Sequence, residues 1–295
     1  IQSGGIGMPI KDKIKAFLKW IFQTYDDEYG KTYDHFGVTI FQVLKNMIIQ
    51  ELTRNSRQRF LKKNSITNLK FKEKFIYFPL HVQPERNIDI DAPYYSNQLE
   101  VIKNIARSLP IQYKLYVKEH NSMKFRNWRS KSFYNSILNL PNVKLIHPSS
   151  NPLGIIKNCS LVITIAGSAG LEAAFYEKPT IVLADVSYSN LSCVKKIKNI
   201  EELPETIREF LRVKVDPNEL SDFIQYQEKN SFEFDEIELR NELSKISLLS
   251  GMVSNDKMSI NQLNSFFEQK RKSFEPLVTN YIKKINEHSD SLTKH

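Results

Sequence analysis

Several features that would narrow the function at once are missing from the sequence. It has no run of about 18 apolar residues, so no transmembrane helix is expected. The first residues lack the pattern of a signal peptide. The chain begins with Ile1 instead of Met, and we interpret it as a fragment whose upstream part is missing. No internal repeat or low-complexity segment occurs, so a globular chain is expected.

Cysteine is scarce, and the common metal and nucleotide motifs are absent. Cys159 and Cys193 form neither a metal motif nor a disulfide framework, which favours a reducing compartment. Cys159 adjoins an apolar run and is expected to be a buried thiol. No cluster of His, Cys and Asp has metal-ligand spacing, so no protein-bound metal is predicted. The lack of a Walker A motif and of a complete G-x-G-x-x-G argues against a nucleotide hydrolase and a typical dinucleotide enzyme.

What the sequence does contain is a core and an excess of positive charge. Hydrophobic residues make up 41% of the 295 residues, enough for one large or two ordinary domains. The net charge of +9 is compatible with nucleic acid, a membrane surface or an anionic substrate, or with a surface that only keeps the protein soluble. No interleaved basic and aromatic motif is present, so nucleic acid is not an expected partner.

Hydrophobic periodicity divides the chain into three parts. Residues 1–70 have helical spacing, first over positions 10–25 and then over positions 43–52. Residues 71–215 alternate short apolar strands with amphipathic helices, with strands predicted at 74–80, 113–117, 143–146, 161–165 and 180–184. Residues 216–295 return to a charged helical pattern, in which Pro276 is predicted to kink or separate two helices. The middle part predicts an α/β fold with a Rossmann-like parallel sheet, flanked by helical N- and C-terminal segments.

Polar residues follow several of the predicted strands, at the sheet edge where open α/β folds bind ligands. The strongest local signal is LVITIAGSAGLEAA, in which a buried strand leads through a small-residue turn into a helix. Gly167 and Gly170 allow a close backbone approach, Ser168 is an N-cap or a phosphate contact, and Glu172 caps the helix or binds a hydroxyl. An ordinary tight turn with a serine cap explains the same pattern without a ligand.

Two further segments contribute candidate ligand residues. In Lys118-Glu119-His120, strand alternation places Lys118 and His120 on one side as candidates for an anionic ligand, with a structural histidine as the alternative. Gln83 and Glu85 flank a proline in a turn and suit hydroxyl groups or base edges.

Five ordered segments resemble the capsule polysaccharide biosynthesis family. They are FIYFPLHVQPE, LYVKEH, RNWRSKSFY, PNVKLIHP and VITIAGSAGLEAAFYEKPTIVL, which together span roughly residues 71–190. The family groups with the GT-B glycosyltransferases and includes bacterial Kdo transferases. The resemblance therefore implies the C-terminal, donor-binding half of a GT-B fold at residues 71–215. Residues 1–70 would then be the remnant of a truncated N-terminal domain, and residues 216–295 a C-terminal helical segment.

The resemblance also implies site residues and a substrate class. The His-Pro motif that contacts donor phosphate matches at His120, with Asn121 in place of proline, and the phosphate-binding turn matches at Gly167, Ser168 and Ala169. Gln83 and Glu85 match the Gln-Pro-Glu turn. No catalytic residue is carried over, because the base or nucleophile of such enzymes generally comes from the N-terminal domain. No cofactor is expected beyond a nucleotide-sugar donor, CMP-linked for Kdo and sialic acid transferases.

The expected function is transfer of a sugar, such as Kdo or another acidic sugar, from a nucleotide-sugar donor to a glycan acceptor. Such an enzyme would be cytoplasmic and could associate peripherally with the inner membrane face or the capsule assembly machinery. A nucleotide-sugar epimerase or a polyol-phosphate transferase on the same fold remains an alternative. So does a non-catalytic module that binds the nucleotide-sugar and turns nothing over.

Overall fold

A computed structural model of the chain describes residues 40–292 except 68, 70, 125–128 and 248–259. The helical pattern predicted over positions 10–25 lies outside these residues. One compact unit comprises Thr53–Gln227, and a second groups the described residues on either side of it. The predicted domain of residues 71–215 lies inside the first unit. None of the helices in the described part of the chain is both long enough and apolar enough to cross a membrane.

The first unit is built on a six-stranded, fully parallel sheet with the order β3-β2-β1-β4-β5-β6. The strands are β1 Lys74–Pro79, β2 Tyr113–Lys118, β3 Val143–Ile146, β4 Leu161–Thr164, β5 Thr180–Val182 and β6 Val194–Lys196. The first five match the predicted strands, and the Rossmann-like parallel sheet is confirmed. The short edge strand β6 was not predicted, because only one of its three residues is apolar and buried.

Helices alternate with strands β1 to β5, as the predicted βαβα order requires, whereas β6 follows β5 without a helix. The helices are α1 Ile40–Asn64, α2 Arg86–Asp89, α3 Gln98–Ser108, α4 Lys131–Leu138, α5 Pro152–Asn158, α6 Ala169–Ala174, α7 Leu203–Phe210 and α8 Pro217–Lys229. Three short 3-10 turns at Pro93–Tyr95, Asn121–Lys124 and Ile200–Glu202 complete the connections.

Both faces of the sheet are buried, which explains why its strands read as continuous apolar runs. Alternate residues of β1 point to opposite faces of the sheet. Ile76 and Phe78 belong to a core cluster on one face, with residues of α3 and α7. Phe75 and Tyr77 belong to a cluster with residues of α5 and α6. Cys159 lies in the second cluster, as predicted for a buried thiol, and its burial raises the pKa of the thiol to about 12.

Two details of the helices differ from what the sequence pattern indicates. The segment SNQLEVIKNIARS predicts a helix over Ser96–Ser108 with a serine N-cap, but helix α3 begins after Asn97, because the Asn97 side chain accepts a hydrogen bond from the backbone N–H of Glu100. Pro276 does not separate two helices, since it lies inside α11 (Arg271–Leu292). It is the sixth residue of that helix, beyond the first turn, so its missing N–H removes one helical hydrogen bond.

The second unit is helical in its described C-terminal part, with α9 Glu236–Ser247, α10 Ile260–Gln269 and α11. Aromatic rings hold these helices together: Phe274 of α11 packs against Phe266 and Phe267 of α10 at centroid distances of 6.4 and 5.4 Å. Lys270, between α10 and α11, pairs with Glu242 of α9 at 2.5 Å.

Candidate functional site

A cleft of about 490 Å³ lies at the carboxyl edge of the sheet. The strand order reverses between β1 and β4, and the loops that follow β1 and β4 separate there. The loops after β2 and β3 close one side of the cleft. Of the predicted site residues, the lining includes Glu85, Lys118, His120, Gly167, Ser168, Ala169 and Glu172. The loops that sequence reasoning selected strand by strand are therefore neighbours in the fold.

Gln83 and Gly170 are the two predicted site residues that do not line this cleft. The Gln83 amide donates to the backbone carbonyl of Ser96 at 2.9 Å, and its carbonyl oxygen accepts from Gln98 at 2.8 Å. Gln98 is buried and also bonds both the backbone N–H and C=O of His81. The structure thus shows Gln83 bracing the loop after β1.

The two glycines of the turn make close approaches to protein side chains. A Cβ at Gly170 would lie 2.5 Å from the Tyr188 hydroxyl and 2.8 Å from a Thr180 methyl. A Cβ at Gly167 would lie 2.8 Å from Thr164 Oγ1 and 3.1 Å from His81 Nε2. Packing inside the protein therefore already demands glycine at both positions, whether or not a ligand approaches the turn.

Ser168 and Glu172 lie together on the wall formed by the turn after β4. Ser168 occupies the N-cap position of α6 but makes no side-chain capping bond, and its hydroxyl donates instead to Glu172 Oε1 at 2.9 Å. Helix α6 has only 6 residues, so its dipole is short. The lining residue that can supply a full positive charge to an anionic ligand is therefore Lys118.

The loop after β2 is anchored by a buried ion pair. Glu119 is 1% exposed and accepts from Arg129 Nη1 with both oxygens at 2.6 Å, from Tyr134 at 2.8 Å and from the backbone N–H of His120 at 2.8 Å. Arg129 Nη2 donates to the backbone carbonyl of His81 at 2.6 Å. One cluster, which we call the Glu119–Arg129–Tyr134 cluster, therefore holds the loops after β1 and β2 in register.

Lys118 and His120 line the cleft on either side of this anchored carboxylate. Lys118 is 6% exposed, and its ammonium lies 3.4 Å from the Glu119 carbonyl oxygen. The backbone N–H of Ser122 donates to His120 Nδ1 at 3.2 Å, so a neutral His120 ring carries its hydrogen on Nε2. A cation and a ring donor therefore line the same cleft as the turn after β4.

Two lining residues that were not among the predicted site residues each carry a buried polar atom. Both follow predicted strands. His81 comes after β1, and its Nδ1 is buried with no hydrogen-bond partner among the described residues. Ser150 comes after β3, and its buried hydroxyl likewise lacks a partner in the part of the chain that the structure describes. Burial, with smaller contributions from Arg129 and His120, lowers the pKa of His81 to about 4. Their position beyond strand ends was the available signal.

The cleft combines one cationic side chain with hydrogen-bond donors and acceptors. Lys118 supplies positive charge and the His120 ring supplies a hydrogen-bond donor, both suited to phosphate oxygens, whereas the one hydrogen of the Ser168 hydroxyl is donated to Glu172. Glu85 and Glu172 are suited to accept from hydroxyl groups. Among the described residues, no group of three or more His, Cys, Asp or Glu side chains could hold a metal ion.

Comparison with solved structures finds partial similarity. One match is the beta Kdo 2,7 transferase of Thermosulfurimonas dismutans KpsC, with 16% identity over 74% of this chain and 58% of that chain, at a TM-score of 0.38. Its beta Kdo 2,4 transferase matches with 13% identity over 51% and 50%, at 0.34. The UDP-GlcNAc 2-epimerase of Methanocaldococcus jannaschii, in complex with UDP-GlcNAc and UDP, matches with 17% identity over 63% and 51%, at 0.37. The chain thus spans about half the length of these proteins.

The family comparison covers more of the chain. No protein of curated function matches the sequence significantly. The model of one family, described as capsule polysaccharide biosynthesis protein, matches residues 12–193. This match includes β1 to β5 and each of the loops that line the cleft. The chain therefore belongs to the capsule polysaccharide biosynthesis family.

Proposed function

We propose that this chain is the donor-binding part of a glycosyltransferase that builds a capsule or another surface polysaccharide. The observation that carries the proposal is the cleft at the switch point of the parallel sheet, which combines Lys118, His120 and the turn at Ser168. Membership in a capsule synthesis family supplies the biological context. The substrate would be a nucleotide-sugar, and the transferred sugar would be Kdo or another acidic sugar.

In this proposal the cleft acts on the phosphate of the departing nucleotide. Breaking the bond between sugar and phosphate leaves negative charge on the phosphate oxygens. Lys118 offsets that charge at a site of low exposure, where an electrostatic interaction is stronger than in water. The His120 ring donates a hydrogen bond to the same oxygens, and the Ser168 hydroxyl does so when its hydrogen turns from Glu172 to the phosphate. Glu85 and Glu172 accept from ribose or sugar hydroxyls.

The remaining parts of the reaction belong to the same proposal. The acceptor would be a growing glycan, and the catalytic base or nucleophile would come from residues outside this cleft. The excess positive charge, +9 overall, suits an anionic donor and an anionic membrane face where capsule is assembled. We propose a cytoplasmic location with peripheral attachment to the inner membrane or to the assembly machinery.

Calorimetric titration of the purified chain with CMP, UDP and CDP tests the donor site. We expect selective binding of CMP, weakened by about 1–3 kcal/mol in His120→Ala and in Ser168→Ala, since each variant removes a hydrogen bond to a charged group. Ser136→Ala is the matched control, because its hydroxyl bonds the Ser132 carbonyl on α4, away from the cleft.

The outcomes separate the alternatives. Failure of a well-folded chain to bind any of the three nucleotides would refute a preformed donor site. Binding of UDP in preference to CMP would shift the proposal towards UDP-sugar chemistry, and interconversion of a UDP-sugar without any acceptor would indicate an epimerase. Binding without any turnover when a nucleotide-sugar and a glycan acceptor are both supplied would indicate a non-catalytic module.

A further inference from the structure

Two buried polar atoms in the cleft have no partner within the described residues. They are His81 Nδ1, in the loop after β1, and Ser150 Oγ, in the loop after β3. Buried polar groups in folded proteins are almost always hydrogen-bonded, because an unmade bond costs free energy. Both residues line the same cleft, so a ligand in that cleft would supply the missing partner for each.

The surroundings of His81 decide which ring nitrogen carries the hydrogen. The backbone N–H of Ala166 donates to His81 Nε2 at 3.3 Å. Thr164 Oγ1 lies 3.3 Å from the same nitrogen and already accepts from the Gly167 N–H, which leaves its hydroxyl hydrogen for Nε2. Nε2 is therefore an acceptor, and a neutral ring must carry its hydrogen on Nδ1.

The ring is held neutral and in a fixed position. Its burial and the nearby Arg129 lower the pKa of His81 to about 4, so the imidazole is uncharged at neutral pH. A Cβ at Gly167 would come within 3.1 Å of Nε2, which shows how closely the ring packs against the turn after β4. His81 is thus a preoriented neutral donor beside the turn to which the nucleotide phosphate is assigned.

We propose that His81 donates through Nδ1–H to a phosphate oxygen of the nucleotide, and that the Ser150 hydroxyl contacts the same ligand from the loop after β3. The inference rests on the proposed function, since it requires a nucleotide in the cleft. It adds two contacts that differ from Lys118 in kind: they recognise acceptor oxygens without adding charge. A neutral donor binds only an anion that places an oxygen within hydrogen-bond distance of it, whereas Lys118 alone would attract any anion.

Two amide substitutions at His81 separate the ring nitrogens. His81→Asn places an N–H near the position of Nδ1, whereas His81→Gln reaches the position of Nε2 and keeps the contacts with Thr164 and Ala166. Titration with CMP should give a dissociation constant within about threefold of wild type for H81N and at least about tenfold weaker for H81Q. Ser150→Ala should weaken binding by about threefold or more, with Ser136→Ala as the unaffected control.

A spectroscopic measurement on the wild-type chain provides a second test. Long-range ¹H–¹⁵N correlation spectra of the histidine rings should show His81 as the Nδ1–H tautomer at pH 7, with the Nδ1 proton moving downfield when CMP is added. A His81 ring protonated on Nε2, or CMP affinity unchanged in H81Q, would overturn the inference and leave the donor site in place. Failure of the wild-type chain to bind CMP, UDP or CDP would overturn the proposed function and this inference with it.

Discussion

Removing Arg129 tests how strongly the Glu119–Arg129–Tyr134 cluster supports the cleft. Arg129→Met keeps most of the side-chain volume but deletes both hydrogen bonds at 2.6 Å to Glu119 and the bond at 2.6 Å to the His81 carbonyl. Glu119, which is 1% exposed, would then be a buried carboxylate without its cation. It would retain the Tyr134 hydroxyl and the His120 N–H as donors.

The expected cost follows from this burial. Breaking a buried ion pair by removing one partner typically costs 3–5 kcal/mol, because the remaining charge is left uncompensated. The two donors that stay on Glu119 place R129M near the lower end, at about 3 kcal/mol of unfolding free energy. For a unit of the size of Thr53–Gln227, that loss of unfolding free energy corresponds to a fall in Tm of roughly 6–12 °C. The double variant Glu119→Gln/Arg129→Met should recover part of it, because no unpaired charge remains.

Urea unfolding followed by circular dichroism measures the effect, with Lys103→Ala as the control. Lys103 pairs with Glu100 at 2.7 Å on the surface of α3, and loss of such an exposed pair should cost less than about 0.5 kcal/mol. A loss below about 1 kcal/mol in R129M would refute the view that the cluster fixes the loops after β1 and β2. Equal destabilisation in R129M and the double variant would show that packing, and not charge, is what the arginine contributes.

Two further predictions concern the turn after β4 and the acid stability of the fold. Gly170→Ala should lower the free energy of unfolding in urea by about 1–3 kcal/mol, because the added Cβ would lie 2.5 Å from Tyr188 and 2.8 Å from Thr180. Gly154→Ala is the control: its Cβ would meet no atom within 4 Å, so the change should be neutral or stabilising. A harmless G170A would contradict the packing argument. The pKa of His81 is lowered from 6.5 to about 4, so the unfolded chain binds more protons than the folded chain between these two pH values. The free energy of unfolding should therefore decrease as the pH is lowered from 6.5 to 4, by up to about 3 kcal/mol. H81Q should flatten this slope, and an unchanged slope would refute the assignment of a buried neutral ring.

The sequence by itself determined the order and type of the elements around the site. Strands such as LVITI are recognisable because a parallel sheet covered on both faces needs apolar residues at every position. The residues after each strand could then be assigned to one edge, and most of the predicted site residues do line the cleft there. The cap of α3 depends on one side-chain contact, and neither the edge strand β6 nor the continuation of α11 through Pro276 follows from hydrophobic periodicity.

Only the tertiary structure decided what each polar residue does. Gly170 meets Tyr188, Gln83 braces Gln98 and Ser96, and Ala166 sets the tautomer of His81 from 85 positions away. These pairings arise from the strand order β3-β2-β1-β4, which brings distant loops together at one edge. Local propensity acts over a few residues, so it can place a side chain at the end of a strand. Which partners it meets there is determined by long-range packing.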